Sequence, residues 1–145
     1  MVIYTIGFAG KTAEVFFGQL ERNGIRRLVD VRLHNTSQLS GFTKREDLAF
    51  FLDRILGVEY RHEPMLAPTE ELLRAYRKKQ CSWEDYSERF LQTLRERKVE
   101  ERLSPELFAV FTVLLCSEAS PKRCHRRLVA EYLSQYWGGA KIVHL

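Results

Sequence analysis

The most constraining feature of this chain is an apolar run in its last third, FAVFTVLLC, which extends from Phe108 to Cys116. The run contains no charged residue, and it is too short to cross a bilayer, which takes about 20 apolar residues. A strand without a polar face has to be buried on both sides, as in the middle of a parallel sheet covered by helices. The run therefore predicts a central strand of an α/β fold.

The rest of the chain alternates short β-type runs with amphipathic helical runs. Further strands are predicted at Val2–Ile6, Leu28–Arg32, Val58–His62 and Ala140–Leu145. The predicted order is β-α-β-α-β-α-α-β-α-β, in which helices connect successive strands. We therefore expect a single α/β domain over residues 1–145, with a mostly parallel sheet of about five strands and helices on both faces.

Residues that cap or start helices mark the helical segments. A capping box, Thr43-Lys44-Arg45-Glu46, precedes a helix that Gly57 is expected to end. The last helix is expected to start at Ser120-Pro121, with Pro121 at the first helical position. The other helices are expected to begin after Thr12, Thr69 and Ser82.

Ligands of open α/β sheets bind beyond the carboxyl ends of the strands. In this chain those ends are Gly7-Phe8, Asp30–Arg32, Arg61-His62 and Cys116–Glu118, all of which are polar or flexible. The loop Leu33–Phe42 leaves from the same edge and exceeds the roughly 2–6 residues of a typical strand-to-helix connection. It is interpreted as either a binding loop or a connecting loop that runs over the surface without a binding role.

Three residues at this edge are candidates for catalysis. Cys116 would face a helix N-terminus near Lys122, which favours a nucleophilic thiolate, although packing in the core is the more common role of such a cysteine. Glu118 would transfer protons or pair with an arginine, unless it faces solvent. Asp30 lies between apolar neighbours and needs a buried partner, either in catalysis or in a structural ion pair.

The last predicted helix divides the basic cluster KRCHRR between two faces. Counting back three and four residues from Leu128 places His125 and Cys124 on the inner side, where His125 is a further candidate for proton transfer. Arg123 and Arg127 are then expected to face outward, toward water or a polyanion.

Anion binding is the chemistry that this edge favours. A loop that enters a helix N-terminus presents free N–H groups, and the helix dipole attracts negative charge. Arg32, Arg126 and Lys122 are the candidate anion-binding cations, and Cys124 lies beside them. The intervals C-x6-R and C-x5-K after Cys116 differ from the C-x5-R motif of phosphatases, so the likeness is one of architecture alone.

Metal and redox chemistry fit the spacing less well. Cys116, Cys124 and His125 offer three zinc ligands, but neither C-x2–4-C nor H-x3–5-H occurs among them. The two cysteines also lack the C-x-x-C spacing of a redox pair. We therefore expect no metal and no cofactor. Three cysteines without a disulfide framework, and a start that does not resemble a signal peptide, predict a cytoplasmic protein away from membranes.

Several segments together resemble one known family. They are TIG near the N-terminus, VDVR, GVEYRHEP, CSEASPKRCHR and the closing IVHL. In combination they resemble the domain of unknown function 488 family, over nearly the whole chain. Many members of that family have T-I-G-H-S where this chain has Phe8 and Ala9 after Gly7. The resemblance implies a functional edge that holds Asp30, Arg32, Cys116, Glu118, Cys124, His125 and Arg126.

Three functions remain open at this point. The leading one is an enzyme, a hydrolase or group-transfer enzyme, whose substrate is a phosphate-bearing small molecule or a nucleic acid. Its catalytic residues would be Asp30, Cys116, Glu118 and His125. The second is a non-catalytic nucleic-acid-binding module, which would use the basic helix face and aromatic side chains such as Trp83 and Trp137. Packing in the core is the more common role of such tryptophans. The third is a rhodanese-like sulfur carrier with a persulfide on Cys116.

Overall fold

Five strands form one parallel sheet at the centre of the protein. The computed structural model describes residues 1–36 and 41–145. The order across the sheet is β3-β2-β4-β1-β5, so the strand from the apolar run is central, as its sequence predicts. The strands are β1 (Val2–Gly7), β2 (Arg27–Asp30), β3 (Glu59–His62), β4 (Thr112–Cys116) and β5 (Lys141–His144).

Helices connect these strands in the predicted alternation. A π-helical turn, Leu52–Leu56, extends the second helix to Gly57, whose left-handed φ of 63° ends it. No helix among the described residues is both long and apolar enough to span a bilayer. The helices are α1 (Ala13–Arg22), α2 (Arg45–Phe51), α3 (Glu70–Arg77), α4 (Trp83–Arg97), α5 (Val99–Arg102) and α6 (His125–Tyr136).

The sheet is covered on both faces, because successive residues of a strand point to opposite sides. Along β4, Val113 and Leu115 pack in one apolar cluster with α1 and α2. Leu114 and Cys116 pack in a second cluster with α3, α4, α5 and α6. This arrangement confirms the predicted α/β fold with helices on both faces.

The start of β4 differs from the prediction. Only Thr112 to Cys116 pair with neighbouring strands, whereas residues 105–108 form a 3-10 turn that the side chain of Ser104 caps. The hydroxyl of Thr112 donates to the carbonyls of Leu107 and Val110, which fixes the turn just before the strand. Apolar composition alone therefore overestimates the strand by four residues.

The start of α6 also differs from the prediction. The helix begins at His125 with Cys124 at its N-cap, and Pro121 lies in the preceding turn. Ser120 accepts a hydrogen bond from the backbone N–H of Lys122 at 3.2 Å, so its side chain stabilises a local turn rather than the helix. As a result, Cys124 and His125 lie at the helix start, closer to the strand ends than predicted.

The other caps are partly as predicted. Thr12, Thr69 and Ser82 each accept a hydrogen bond from the first turn of the helix that follows. The capping box at Thr43 is wrong, because Lys44 is the N-cap of α2 and makes no side-chain cap bond. In the predicted loop Leu33–Phe42, residues 37–40 lie outside the described residues.

Candidate functional site

The carboxyl ends of three inner strands meet at one edge of the sheet. Gly7 of β1 lies opposite Cys116 of β4, and Asp30 of β2 lies opposite Leu115. Helix α6 starts above the same edge, since His125 contacts the backbone after β2. The edge therefore brings together the ends of β1, β2 and β4 with the start of α6.

Cys116 and Cys124 meet where β4 ends and α6 begins. Their Sγ atoms are in direct contact, close enough for a disulfide bond. Their Cα atoms lie 7.7 Å apart, whereas those of disulfide-bonded cysteines are usually about 4.4–6.8 Å apart. Both side chains are buried, at 1% and 2% exposure. The sequence spacing did not favour a pairing that the fold nevertheless brings about.

The hydrogen bond of His125 fixes which ring nitrogen carries the proton. Nε2 lies 2.7 Å from the carbonyl oxygen of Val31, which can only accept, so Nε2–H donates and Nδ1 keeps a free lone pair. Burial lowers the pKa of His125 to about 4, against the raising effect of the Val31 bond, and the nearby Arg126 charge lowers it further. The imidazole is therefore neutral at physiological pH.

Arg126 is fully buried beneath the two cysteines. Nη1 donates to Sγ of Cys116 at 3.2 Å and to the backbone oxygen of Glu118 at 2.5 Å. Weaker bonds reach Thr5 and Ala119. Burial lowers the pKa of Arg126 to about 10, against the raising effect of the Glu118 charge, so the guanidinium is still charged at neutral pH.

The charge of Arg126 has no carboxylate ion-pair partner within residues 1–36 and 41–145. A buried charge is costly unless an opposite charge or strong hydrogen bonds compensate it. The contact that can carry a full negative charge is Sγ of Cys116, because the other contacts are neutral oxygens. In the reduced protein, the contact with Arg126 would stabilise a negative charge on the sulfur of Cys116.

Gly7 is the residue that permits this close packing. A Cβ atom at this position would overlap the carbonyl of Glu118 and lie 2.8 Å from Nη1 of Arg126. A side chain there would displace the loop after β4 together with the arginine. The glycine of the TIG segment is thus required by the approach of the backbone and not by a turn.

An open cleft of about 270 Å³ lies over the cysteines, and we call it the site cleft. Its volume is just below the usual range for small-molecule sites, roughly 300–1,000 Å³. Helices α3 and α4 form one wall, and the loop after β4 with the start of α6 forms the other. The lining residues are Leu73, Tyr76, Arg77, Tyr86, Cys116, Ser117, Glu118, Arg123, Cys124 and His125.

Asp30 and Arg32 form a separate buried cluster. Arg32 donates to both carboxylate oxygens of Asp30, at 2.9 and 2.8 Å, and its backbone N–H donates as well. Tyr60 donates its hydroxyl at 2.6 Å, and Asn35 adds a fifth bond. Burial alone would raise the pKa of Asp30, but the bonds from Arg32 and Tyr60 outweigh it and lower the pKa.

The sequence-predicted residues therefore fall into groups. Cys116, Glu118, Cys124 and His125 line the site cleft. Asp30 and Arg32 pair with each other, and Arg126 lies under the cysteines. Lys122 is exposed on the turn before α6 and does not line the cleft.

Sequence reasoning did not assign Tyr76, Arg77 and Tyr86 to a site. They reach the cleft because α3 and α4 pack beside α6, and only the cluster of basic residues at Arg77 to Lys79 gave a signal. The two tryptophans, by contrast, pack against the core. Trp83 stacks on Tyr86, and Nε1–H of Trp137 donates to a backbone oxygen.

The chain was compared with known families, curated proteins and solved structures. The family model described as "Domain of unknown function DUF488" matches residues 12–133, which include both walls of the site cleft. No curated protein and no solved structure matches the chain. The chain belongs to the family defined by the domain of unknown function DUF488.

Proposed function

We propose that this protein is an enzyme that hydrolyses or transfers a group of a small phosphate-bearing substrate held in the site cleft. The observation that carries the proposal is the presence of Glu118 in one open cleft with two cysteines, a neutral histidine and two arginines. Clefts that combine titratable side chains with a cationic wall are the usual setting for such reactions.

Arg77 and Arg123 are the residues proposed to bind the anion. Both are exposed at the cleft, and neither forms an ion pair with a carboxylate in the described part of the chain. Unpaired guanidinium groups bind phosphate oxygens through charge-assisted hydrogen bonds. Arg32 and Arg126 have less to offer a substrate, because their donors already contact protein atoms.

Glu118 is proposed to transfer the proton. Its carboxylate is exposed in the cleft wall and is therefore free to reach a bound water or a leaving group. His125 is less suited to donate a proton at neutral pH, because burial keeps its pKa near 4. Aligned proton transfer by one side chain typically contributes about 10²- to 10⁴-fold to a rate.

The test is a panel of phosphomonoesters, phosphodiesters, nucleotides and short oligonucleotides, followed by ³¹P NMR. Glu118→Gln is expected to lower kcat about 10²- to 10⁴-fold on the substrate found, without loss of folding. Glu131→Gln is the matched control, because Glu131 is an exposed carboxylate of α6 outside the cleft. Wild-type turnover by a folded Glu118→Gln variant would rule out this assignment.

Sulfur transfer is a second candidate, and the contact between the two sulfur atoms favours it. In that reaction the outer sulfur of thiosulfate would move to Sγ of Cys116 as a persulfide, with release of sulfite. Thiosulfate is therefore included in the panel. Sulfite release that Cys116→Ser abolishes and Glu118→Gln leaves unchanged would favour sulfur transfer over phosphate chemistry.

A further inference from the structure

We propose that Cys116, Cys124 and His125 form a binding site for a divalent transition metal, with Zn²⁺ as the ion that suits it best. One ligand atom from each residue lies within 4.8 Å of those of the other two. Two tetrahedral Zn–S bonds of about 2.3 Å separate their sulfur atoms by roughly 3.8 Å. The three ligand atoms are already gathered in one place, and the two sulfur atoms, which are in contact in the structure, would move apart to this separation to share a metal.

The hydrogen bond of His125 leaves one ring nitrogen available for coordination. Its Nε2–H group donates to the carbonyl of Val31, which leaves Nδ1 as the atom with a free lone pair. Histidines that bind metals commonly donate their second ring N–H to a backbone carbonyl in this way. An edge contact with Phe90, with ring centroids 5.6 Å apart, also restrains the ring.

The two cysteines supply the softer ligands. Thiolate and imidazole together select zinc over magnesium or calcium, which prefer oxygen. The Cα atoms of Cys116 and Cys124 are 7.7 Å apart, which suits sulfur atoms that share a metal better than sulfur atoms joined directly. The hydrogen bond from Arg126 to Sγ of Cys116 stabilises the thiolate that a metal requires.

The site has the composition of a catalytic metal centre. Two cysteines and one histidine leave a fourth tetrahedral position for water, and they line the site cleft together with Glu118. The role of the metal, unlike its binding, rests on the proposed function. The bound water would lose a proton to Glu118, the hydroxide would attack the substrate, and Glu118 would return the proton to the leaving group.

Metal binding is tested with Co²⁺ as a spectroscopic probe of the chelator-treated full chain, reduced with a phosphine. We expect one equivalent to bind, with strong thiolate-to-cobalt absorption and the visible bands of a tetrahedral ion, and Zn²⁺ to displace it. Zn²⁺ should then protect Cys116 and Cys124 from alkylation, while Cys81, the one remaining cysteine, still reacts. Mass spectrometry of peptides assigns the alkylated residues.

Variants sharpen the assignment. Cys124→Ser and His125→Ala are expected to weaken Co²⁺ binding by at least about tenfold, because each removes a ligand. Cys81→Ser is the matched control and should bind like the wild type. The proposal would be overturned if the fully reduced wild-type protein, with three reactive thiols, bound no cobalt. It would also be overturned if Zn²⁺ protected Cys81 instead of Cys116 and Cys124. Both results come from the wild type, so neither depends on whether the variants fold.

Cobalt binding and substrate turnover, measured on the same protein, distinguish the metal site from the proposed function. Glu118→Gln should keep Co²⁺ binding while it loses turnover. Stoichiometric binding without turnover of any substrate in the panel would contradict only the enzyme. Turnover by a protein that binds no metal would contradict only the metal site.

Discussion

Arg32 and Arg126 are both buried at the carboxyl edge of the sheet, but their charges are balanced in different ways. Arg32 donates two side-chain hydrogen bonds to the carboxylate of Asp30. Arg126 contacts the sulfur of Cys116 and neutral oxygens, without a carboxylate ion pair among the described residues. The first cluster is balanced by a directly bonded carboxylate, whereas the second is not.

The two clusters also differ in how many of their polar atoms are free to contact a ligand. The carboxylate of Asp30 accepts bonds from Arg32, Asn35 and Tyr60, so little of it remains for a substrate. Cys116 and His125, in contrast, line an open cleft. A saturated ion pair is suited to holding strand ends together, and an unsaturated cluster is suited to binding and reaction.

The largest expected effect is on the stability of the Asp30 cluster. Asp30→Asn should lower the free energy of unfolding by about 3–5 kcal/mol, because it leaves the buried charge of Arg32 without its partner. Denaturant unfolding measures this loss. The control is Glu59→Gln, which removes the exposed ion pair with Arg27 at 2.9 Å and should cost less than about 1 kcal/mol. Equal losses would mean that burial does not distinguish the two pairs.

The free energies of unfolding of wild type and Asp30→Asn should also depend differently on pH. The pKa of Asp30 lies below its ordinary value of 3.8 in the folded state, chiefly because the bonds from Arg32 and Tyr60 outweigh the effect of burial. As pH falls below about 4, the unfolded carboxyl binds a proton first, so the stabilisation is lost. The stability difference between wild type and Asp30→Asn should therefore narrow in acid. A constant difference would contradict the lowered pKa.

The second prediction tests how the charge of Arg126 is balanced. Arg126→Gln should slow alkylation of Cys116 at neutral pH about 10- to 100-fold in the reduced, metal-free protein, since a charged donor stabilises an anionic acceptor by roughly 1.5–3 kcal/mol. Mass spectrometry of the modified peptide follows the rate. The control Arg127→Gln changes the next residue, which pairs with Glu131 at 3.7 Å, and should leave the rate unchanged. An unchanged rate in folded Arg126→Gln would contradict a thiolate at Cys116.

The sequence predicted the sheet and its functional edge because both follow from local pattern and topology. An uncharged apolar run has to be central, and the ends of parallel strands meet on one side. Cys116 and Glu118 lie after β4 at that edge, where they line the cleft, and their functional role stays a prediction. The start of α6 was misplaced because Ser120 and Pro121 suit a helix start and a turn equally well, and the bond from Lys122 to Ser120 favours the turn.

Which residues line the site cleft could not be predicted, because they are brought together by contacts between segments that are distant in the sequence. The zinc spacing rules describe ligands that share one loop or helix, whereas Cys116 and Cys124 are eight positions apart and belong to a strand end and a helix start. Arg77 and Tyr86 reach the cleft through the packing of α3 and α4. The burial of Arg126 was also unexpected, because the sequence made it a candidate to bind an external anion.

The smallest expected effect concerns Phe8, which completes the shell around Arg32. The guanidinium of Arg32 lies 5.3 Å from the centre of the Phe8 ring, and Phe8→Leu should cost about 1–2 kcal/mol because the cation is desolvated. The control is Phe50→Leu, which removes a similar contact of Arg54 at 5.2 Å on an exposed ring and should cost about 0.5 kcal/mol. Denaturant unfolding of both variants gives the comparison. Equal losses would mean that the aromatic ring adds nothing to the Asp30 cluster beyond its apolar volume, and the charge of Arg32 would then depend on Asp30 and the carbonyl of Thr43.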